Sequence, residues 1–223
     1  MLDPLGILKY DGEGWKAWGD YELFVFEDPT PTRRLHIAFP PATRELVDAF
    51  WRTGTAAGYR DDGRPGLRPQ YAEDYYGGFL LDPDGNSAEA IHSTGSAYPQ
   101  SAIDHMWIRV ADLRSTMRFY EEIAPYTGFR LAWEHDDPPR AGFADDIASF
   151  SVVEDGSPTE NVHIAFPASA NAAVDEFHRV ATAAGYRDNG GPGERPHYHR
   201  GYYGAFVLDP DGNNVEVVNH NRG

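Results

Sequence analysis

The chain has 223 residues, of which 35 are acidic and 19 basic, so its formal net charge is −16 at neutral pH. Hydrophobic residues make up 41% of the chain and aromatic residues 13%, enough to build a packed core and to argue against disorder. The acidic balance argues against a nucleic-acid partner, and the absence of cysteine excludes disulfides, thiol nucleophiles and cysteine-ligated zinc.

The sequence predicts no membrane segment. No apolar run approaches the roughly 18 residues that cross a bilayer, and the first residues do not resemble a signal peptide. We therefore expect a cytoplasmic protein with neither a membrane nor a nucleic acid as its partner.

The chain contains an internal repeat. Residues 35–93 match residues 162–220 at a constant offset of 127 without a gap, and 33 of these 59 positions are identical. Identity at this level indicates duplication. At the same offset, the counterpart of 103–128 would fall almost entirely before Met1, so the first copy is predicted to lack its first strand and helix. We predict a truncated unit at 1–95 and a complete unit at 101–223, joined by a Ser/Gly/Pro linker at 93–100.

The first half of the complete copy has the pattern of a strand, a helix and two more strands. Alternation predicts a strand over 103–110, with His105 on the face opposite its aliphatic residues. Asp112 is placed to cap a helix. Apolar residues recur in that helix at helical spacing: Leu113, Met117, Tyr120 and Ile123. Further strands are predicted near 129–134 and 147–154, with room for a short one between them.

The pattern then restarts, with a strand from Asn161 and a helix from Ser169. A loop rich in glycine, proline and histidine is predicted over 189–200. It leads to two strands that flank the turn Asp209–Gly212. The order of elements predicts an α+β fold with helices on the outer face of a curved sheet.

Three polar side chains interrupt the apolar pattern at the middle of predicted strands, and all three fall on the face away from the helices: His105, His163 and Glu216. Two histidines and a carboxylate on one sheet face are a ligand set that leaves positions open on a divalent metal ion. The alternative is three unrelated residues on a solvated face.

Three segments resemble the vicinal oxygen chelate superfamily, which contains glyoxalase I, bleomycin-resistance proteins and extradiol dioxygenases. They are Ile103–His105, Val162–Phe166 and Asp209–Glu216. The resemblance implies tandem βαβββ modules that form open-barrel clefts. By position, it also implies that His105, His163 and Glu216 are ligands of a divalent ion such as Fe, Mn, Ni or Zn.

The resemblance is weaker at the reacting groups. The strand that would supply a fourth, carboxylate ligand in glyoxalase I is uncharged at its centre, and Phe206 replaces a tyrosine of the extradiol dioxygenases. The loop histidines His197 and His199 are therefore candidate proton shuttles and, with Tyr203, the candidate catalytic residues. The alternative for the two histidines is a solvated loop without a catalytic role.

The first copy retains His36 and Glu89 but has Gln70 and Ala72 in place of the two loop histidines. Without the strand that would bring a third ligand, its cleft is predicted to be vestigial, a scaffold, or completed by another chain. The uncovered sheet edge predicts a homodimer or a changed pairing of the N-terminal strands.

Two functions are compatible with these features. The first is a metal-dependent enzyme, a lyase, isomerase or dioxygenase, that acts on a small oxygen-rich molecule. The second is a metal-free ligand-binding protein of the bleomycin-resistance type, whose acidic charge would favour a cationic ligand.

Overall fold

The computed structural model of the chain describes residues 1–19, 22–94, 101–144 and 149–221. Its contacts define two compact units, Met1–Trp107 with Asp146–Phe150, and Ile108–Asp145 with Ser151–Gly223. Both units combine helices with strands, so the α+β class is confirmed. The predicted linker lies, from residue 95 onward, outside the described residues, and the predicted division at residues 95 and 101 stays a prediction.

The described residues 1–19, 22–94 and 101–107 of the first unit form a short 3₁₀ helix, one α-helix and eight strands, the last of which also contributes residues to the second unit. The 3₁₀ helix spans Asp3–Leu5. The other elements are β1 (Lys9–Gly12), β2 (Trp15–Trp18), β3 (Leu23–Phe26), β4 (His36–Phe39), α1 (Arg44–Ala56), β5 (Arg60–Leu67), β6 (Tyr76–Leu81), β7 (Ser87–His92) and β8 (His105–Val110).

The strands of the first unit form two sheets. The N-terminal strands pair only with one another among the described residues, in the antiparallel order β1-β2-β3. The larger sheet has the order β5-β6-β7-β4-β8, in which β4 runs parallel to β7 and antiparallel to β8. Helix α1 begins after Thr43, whose side chain accepts a hydrogen bond from the Leu46 amide, and it buries Val47 and Phe50 completely.

The described part of the second unit begins within β8 and contains two helices and the remaining strands, of which β11 starts in the first unit at Ser149 and Phe150. They are α2 (Leu113–Thr127), β9 (Arg130–Asp136), β10 (Pro139–Ala144), β11 (Ser149–Glu154), β12 (His163–Pro167), α3 (Asn171–Ala183), β13 (Asp188–Glu194), β14 (Tyr203–Leu208) and β15 (Asn214–Asn219). Its strands follow the orders β8-β11-β10-β9 and β12-β15-β14-β13. Across the described parts of both units, no helix is long and apolar enough to span a bilayer.

The predicted helices are present. Asp112 caps α2, because its carboxylate accepts a hydrogen bond of 2.6 Å from the Ser115 amide. The apolar residues predicted for its inner face are buried: Leu113, Met117, Tyr120 and Ile123. Helix α3 begins at Asn171, two residues after the predicted start at Ser169, because Ala170 still has an extended backbone.

The prediction of a continuous loop over 189–200 is wrong, because β13 occupies Asp188–Glu194. This strand lacks the β-branched residues that indicate strands, and its pairing with β14 shifts register around Gly190 and Gly193. Gly190 has φ of 150°, and a Cβ added there would lie 2.9 Å from the Phe206 ring. Backbone pairing with β14, rather than side-chain propensity, therefore defines β13.

The turn before β15 contains a buried carboxyl group. Asp209 is 5% exposed and accepts hydrogen bonds from the amides of Asp211 and Asn213 at 3.0 and 2.8 Å. Burial raises the pKa of Asp209 to about 6, although these hydrogen bonds favour the ionised form. Between about pH 4 and pH 6, the folded protein therefore holds a proton at Asp209 that the unfolded chain releases.

This difference predicts that the Asp209 contribution to stability is present below pH 4 and is lost as the pH rises to 6. The change in the free energy of unfolding is about 3 kcal/mol for a pKa difference of about two units. Denaturant unfolding of wild type and Asp209→Asn at pH 4 and pH 7 measures it. Between pH 4 and pH 7, we expect the stability of Asp209→Asn to rise by about 3 kcal/mol relative to that of wild type. Asp84→Asn, at an exposed position, is the control. An equal offset at both pH values would contradict the expectation.

Candidate metal centre

Strand β4 and its neighbours β7 and β8 bring two histidines and one glutamate, His36, His105 and Glu89, onto one face of the first unit's sheet. In the β4–β7 pair, Ala38 lies opposite Glu89, and in the β4–β8 pair, Ala38 lies opposite His105. His36 is two residues before Ala38 and therefore points to the same face. Because Ala38 is small and fully buried, the space above it is left to the three larger side chains.

The three side chains converge on one point. The Nε2 atom of His36 lies 3.2 Å from Oε2 of Glu89, and Nε2 of His105 lies 3.7 Å from the same oxygen. One ligand atom from each residue lies within 4.8 Å of the other two. Two ligands held at 2.0–2.2 Å from one ion are separated by about 2.8–3.6 Å in octahedral to tetrahedral geometry, so this cluster matches a metal site after small side-chain shifts.

The cluster is buried to different depths. Glu89 is 2% exposed and His36 is 4% exposed, whereas the side chain of His105 keeps 26% of its surface accessible. A buried carboxylate is stabilised by hydrogen bonds, by a cationic partner or by a metal ion. The two imidazoles and the carboxylate therefore fit a divalent ion, and the exposed edge at His105 leaves an approach for a small molecule.

Surrounding groups orient the two histidines. The carboxylate of Asp104 accepts a hydrogen bond of 2.7 Å from Nδ1 of His105, which leaves the Nε2 lone pair to face Glu89. The ring of Trp107 stacks on His36 with centroids 4.8 Å apart and an interplanar angle of 24°. Both contacts restrict ring rotation, as metal ligands require.

The second unit contains the duplicated counterpart of the His36–Glu89 pair. Nε2 of His163 lies 3.0 Å from Oε2 of Glu216, and the Tyr202 hydroxyl donates a hydrogen bond of 2.6 Å to Oε1. Glu216 is 1% exposed, but the side chain of His163 is 43% exposed. Within the described ranges, the only group of three potential ligands is His36, Glu89 and His105.

The residues that the sequence analysis combined belong to two different compact units. His105 lies with His36 and Glu89 in the first unit, whereas His163 and Glu216 belong to the second. The prediction that the first copy lacks a third ligand is wrong, because β8 places His105 beside β4. The combination of His105 with His163 and Glu216 stays a prediction, since these residues fall in separate compact units.

The candidate catalytic residues occupy three different environments. The His197 ring packs against Tyr198, with centroids 4.3 Å apart. His199 faces His220, with Nε2 and Nδ1 2.9 Å apart, and its own Nδ1 donates to the Arg200 carbonyl. The Tyr203 hydroxyl donates a hydrogen bond of 2.6 Å to Asp175. Their catalytic roles stay predictions.

Sequence reasoning missed Tyr75 and Tyr202, which contact the two buried glutamates. The Tyr75 hydroxyl donates a hydrogen bond of 2.7 Å to Oε1 of Glu89. The signal was present in the duplicated tyrosine pairs at 75–76 and 202–203, since adjacent residues of a strand point to opposite faces. Only the neighbouring strand shows which tyrosine of each pair faces the carboxylate.

Residues 102–217 match the Glyoxalase/Bleomycin resistance protein/Dioxygenase superfamily, and the chain therefore belongs to this superfamily. Comparison with proteins of curated function finds no match.

Solved structures of glyoxalase I from Zea mays resemble the chain over nearly its whole length. The V278E mutant superposes with a TM-score of 0.67 at 18% identity, and the alignment covers 98% of this chain and 85% of that one. For glyoxalase I from Zea mays without that substitution, the TM-score is 0.61 at 18% identity with the same coverage. At this identity the likeness shows the fold alone, and it confirms the predicted tandem arrangement of glyoxalase-type modules.

Proposed function

We propose that this protein is a divalent-metal-dependent enzyme that acts on a small molecule with two adjacent oxygen atoms, and that His36, Glu89 and His105 hold the metal ion. The observation that carries the proposal is the convergence of two imidazoles and one buried carboxylate within 4.8 Å. Such a set suits Fe, Mn, Ni or Zn and leaves coordination positions for a substrate. When bound, the ion supplies a Lewis acid that polarises the substrate oxygens.

The residues of the chain have separate roles in this proposal. Glu89 supplies the negative charge that attracts a cation into a buried site. Asp104 holds the His105 imidazole with its Nε2 lone pair directed inward. The accessible edge of His105 admits the small molecule, and the Trp107 ring keeps His36 in place beside Glu89.

Metal analysis of purified protein tests the proposal. We expect wild type to bind one equivalent of Ni²⁺ or Co²⁺ after dialysis against metal-free buffer, and His36→Ala to lose this equivalent. His163→Ala is the matched control, because it removes the duplicated histidine of the second unit, and we expect it to keep the metal. Loss of metal in His163→Ala with retention in His36→Ala would instead place the ion at His105, His163 and Glu216.

A second candidate function is the binding of a planar cation without metal, and the second unit favours it. The rings of Tyr198 and Tyr202 lie 4.8 Å apart, Tyr198 is 57% exposed, and Tyr202 touches the buried carboxylate of Glu216. An exposed aromatic group beside a carboxylate suits a flat cationic ligand. Wild type without bound metal, stabilised instead by a planar cation, would favour this function over the first.

A further inference from the structure

The two oxygens of Glu89 have different partners. Oε1 accepts a hydrogen bond of 2.7 Å from the Tyr75 hydroxyl. Oε2 faces the two imidazoles, at 3.2 Å from His36 and 3.7 Å from His105. A free carboxylate can bind a metal ion through one oxygen or through both. Here only Oε2 is directed at the candidate metal position, because Oε1 is held by the phenol.

Two neighbours keep this arrangement in place. The Tyr75 hydroxyl lies 2.7 Å from Oε1 and is the donor in this contact, because a carboxylate oxygen accepts hydrogen bonds. A Cβ atom at Gly77 would lie only 2.5 Å from Oε1, so the absence of a side chain at this position leaves the oxygen its space. The Tyr75 hydroxyl and the open space at Gly77 together determine the position of Oε1.

The second unit repeats the same division of oxygens. The Tyr202 hydroxyl donates to Oε1 of Glu216 at 2.6 Å, and His163 faces Oε2 at 3.0 Å. A Cβ at Gly204 would again lie 2.5 Å from Oε1. The tyrosine and the glycine therefore accompany the His–Glu pair in both copies, which provides a matched control within one chain.

We propose that Tyr75 is a positioning residue that restricts Glu89 to coordination through Oε2, and so preserves the coordination positions that a substrate with two adjacent oxygens occupies. The inference rests on the proposed function. If Oε1 were free to bind as well, the carboxylate would fill one more position on the ion. The ion would then have fewer positions for the substrate, although all three protein ligands would still be present.

Tyr75→Phe tests the proposal in the Co²⁺-loaded full chain, with Tyr202→Phe as the matched control. Two readouts report on the ion itself. They are the visible absorption of Co²⁺, which depends on coordination number, and the affinity for acetohydroxamate, a probe with two adjacent oxygens. For Tyr75→Phe we expect a changed spectrum and an affinity for acetohydroxamate at least about tenfold lower. Tyr202→Phe should match wild type in both.

The proposal is overturned if Tyr75→Phe retains either the wild-type Co²⁺ spectrum or the wild-type affinity for acetohydroxamate. Thermal unfolding of the metal-free variants shows whether each is folded. Should Tyr75→Phe not fold, Gly77→Ala provides the second variant, because its methyl group displaces Oε1 while the phenol remains. Failure of wild type to bind Co²⁺ would overturn the proposed function and this inference together. Wild type that binds Co²⁺, with an unchanged Tyr75→Phe variant, would overturn this inference alone.

Discussion

Glu89→Gln is expected to abolish the stabilisation that a divalent ion confers on the first unit. An ion that binds only the folded protein stabilises it by about 4 kcal/mol at a concentration 1,000 times its dissociation constant. The glutamine side chain keeps the size of Glu89 but provides no negative charge to hold the ion. Without metal, the variant should be at least as stable as wild type, because it buries an uncharged amide where wild type buries a carboxylate that is 2% exposed.

Denaturant unfolding with and without Ni²⁺ measures both effects. A variant that is less stable than wild type with Ni²⁺, but not without it, has lost a metal ligand rather than suffered general damage to its fold. Glu216→Gln, the duplicated change in the second unit, is the control and should leave the metal-induced stabilisation of the first unit unchanged. An undiminished Ni²⁺ effect in Glu89→Gln would show that Glu89 is not a ligand.

Truncation of the buried phenylalanine of α1 or of α3 is expected to produce the largest loss of stability. Phe50 in α1 and Phe177 in α3 are duplicated positions, and both are 0% exposed. Replacing a buried phenylalanine by alanine removes its apolar contacts and leaves a cavity, at a cost of about 3–5 kcal/mol. We expect Phe50→Ala to destabilise the first unit and Phe177→Ala to destabilise the second.

Hydrogen exchange measured by mass spectrometry monitors the unfolding of each unit, and so shows which unit each substitution destabilises. Glu176→Ala serves as the control on the same helix as Phe177, because its side chain is 45% exposed and is paired with the exposed side chain of Arg179. That variant should change the free energy of unfolding by no more than about 0.5 kcal/mol. A loss of less than about 1 kcal/mol in Phe177→Ala would contradict the packing described for α3.

The local pattern of polar and apolar residues was sufficient to predict the helices and most of the strands. In α2, the capping residue Asp112 and the buried positions follow from the spacing of polar and apolar residues, since both are properties of a single segment. The repeat placed His36 with Glu89, and His163 with Glu216, on corresponding strands. Strand β13 escaped detection because its backbone pairs with β14 while its glycine-rich side chains carry no strand signal.

The sequence by itself determined the superfamily, the duplication and the two His–Glu pairs, because each depends on residue identity and local periodicity. Only the tertiary structure showed that His105 lies beside His36 and Glu89. It joins His36 and Glu89 because β8 pairs with β4, and the choice of a neighbouring strand depends on contacts between distant segments. The same structure made the pairs unequal, since nearly identical strands leave His36 buried but expose His163. Burial and a third ligand, rather than the shared sequence, make the first pair the candidate metal centre.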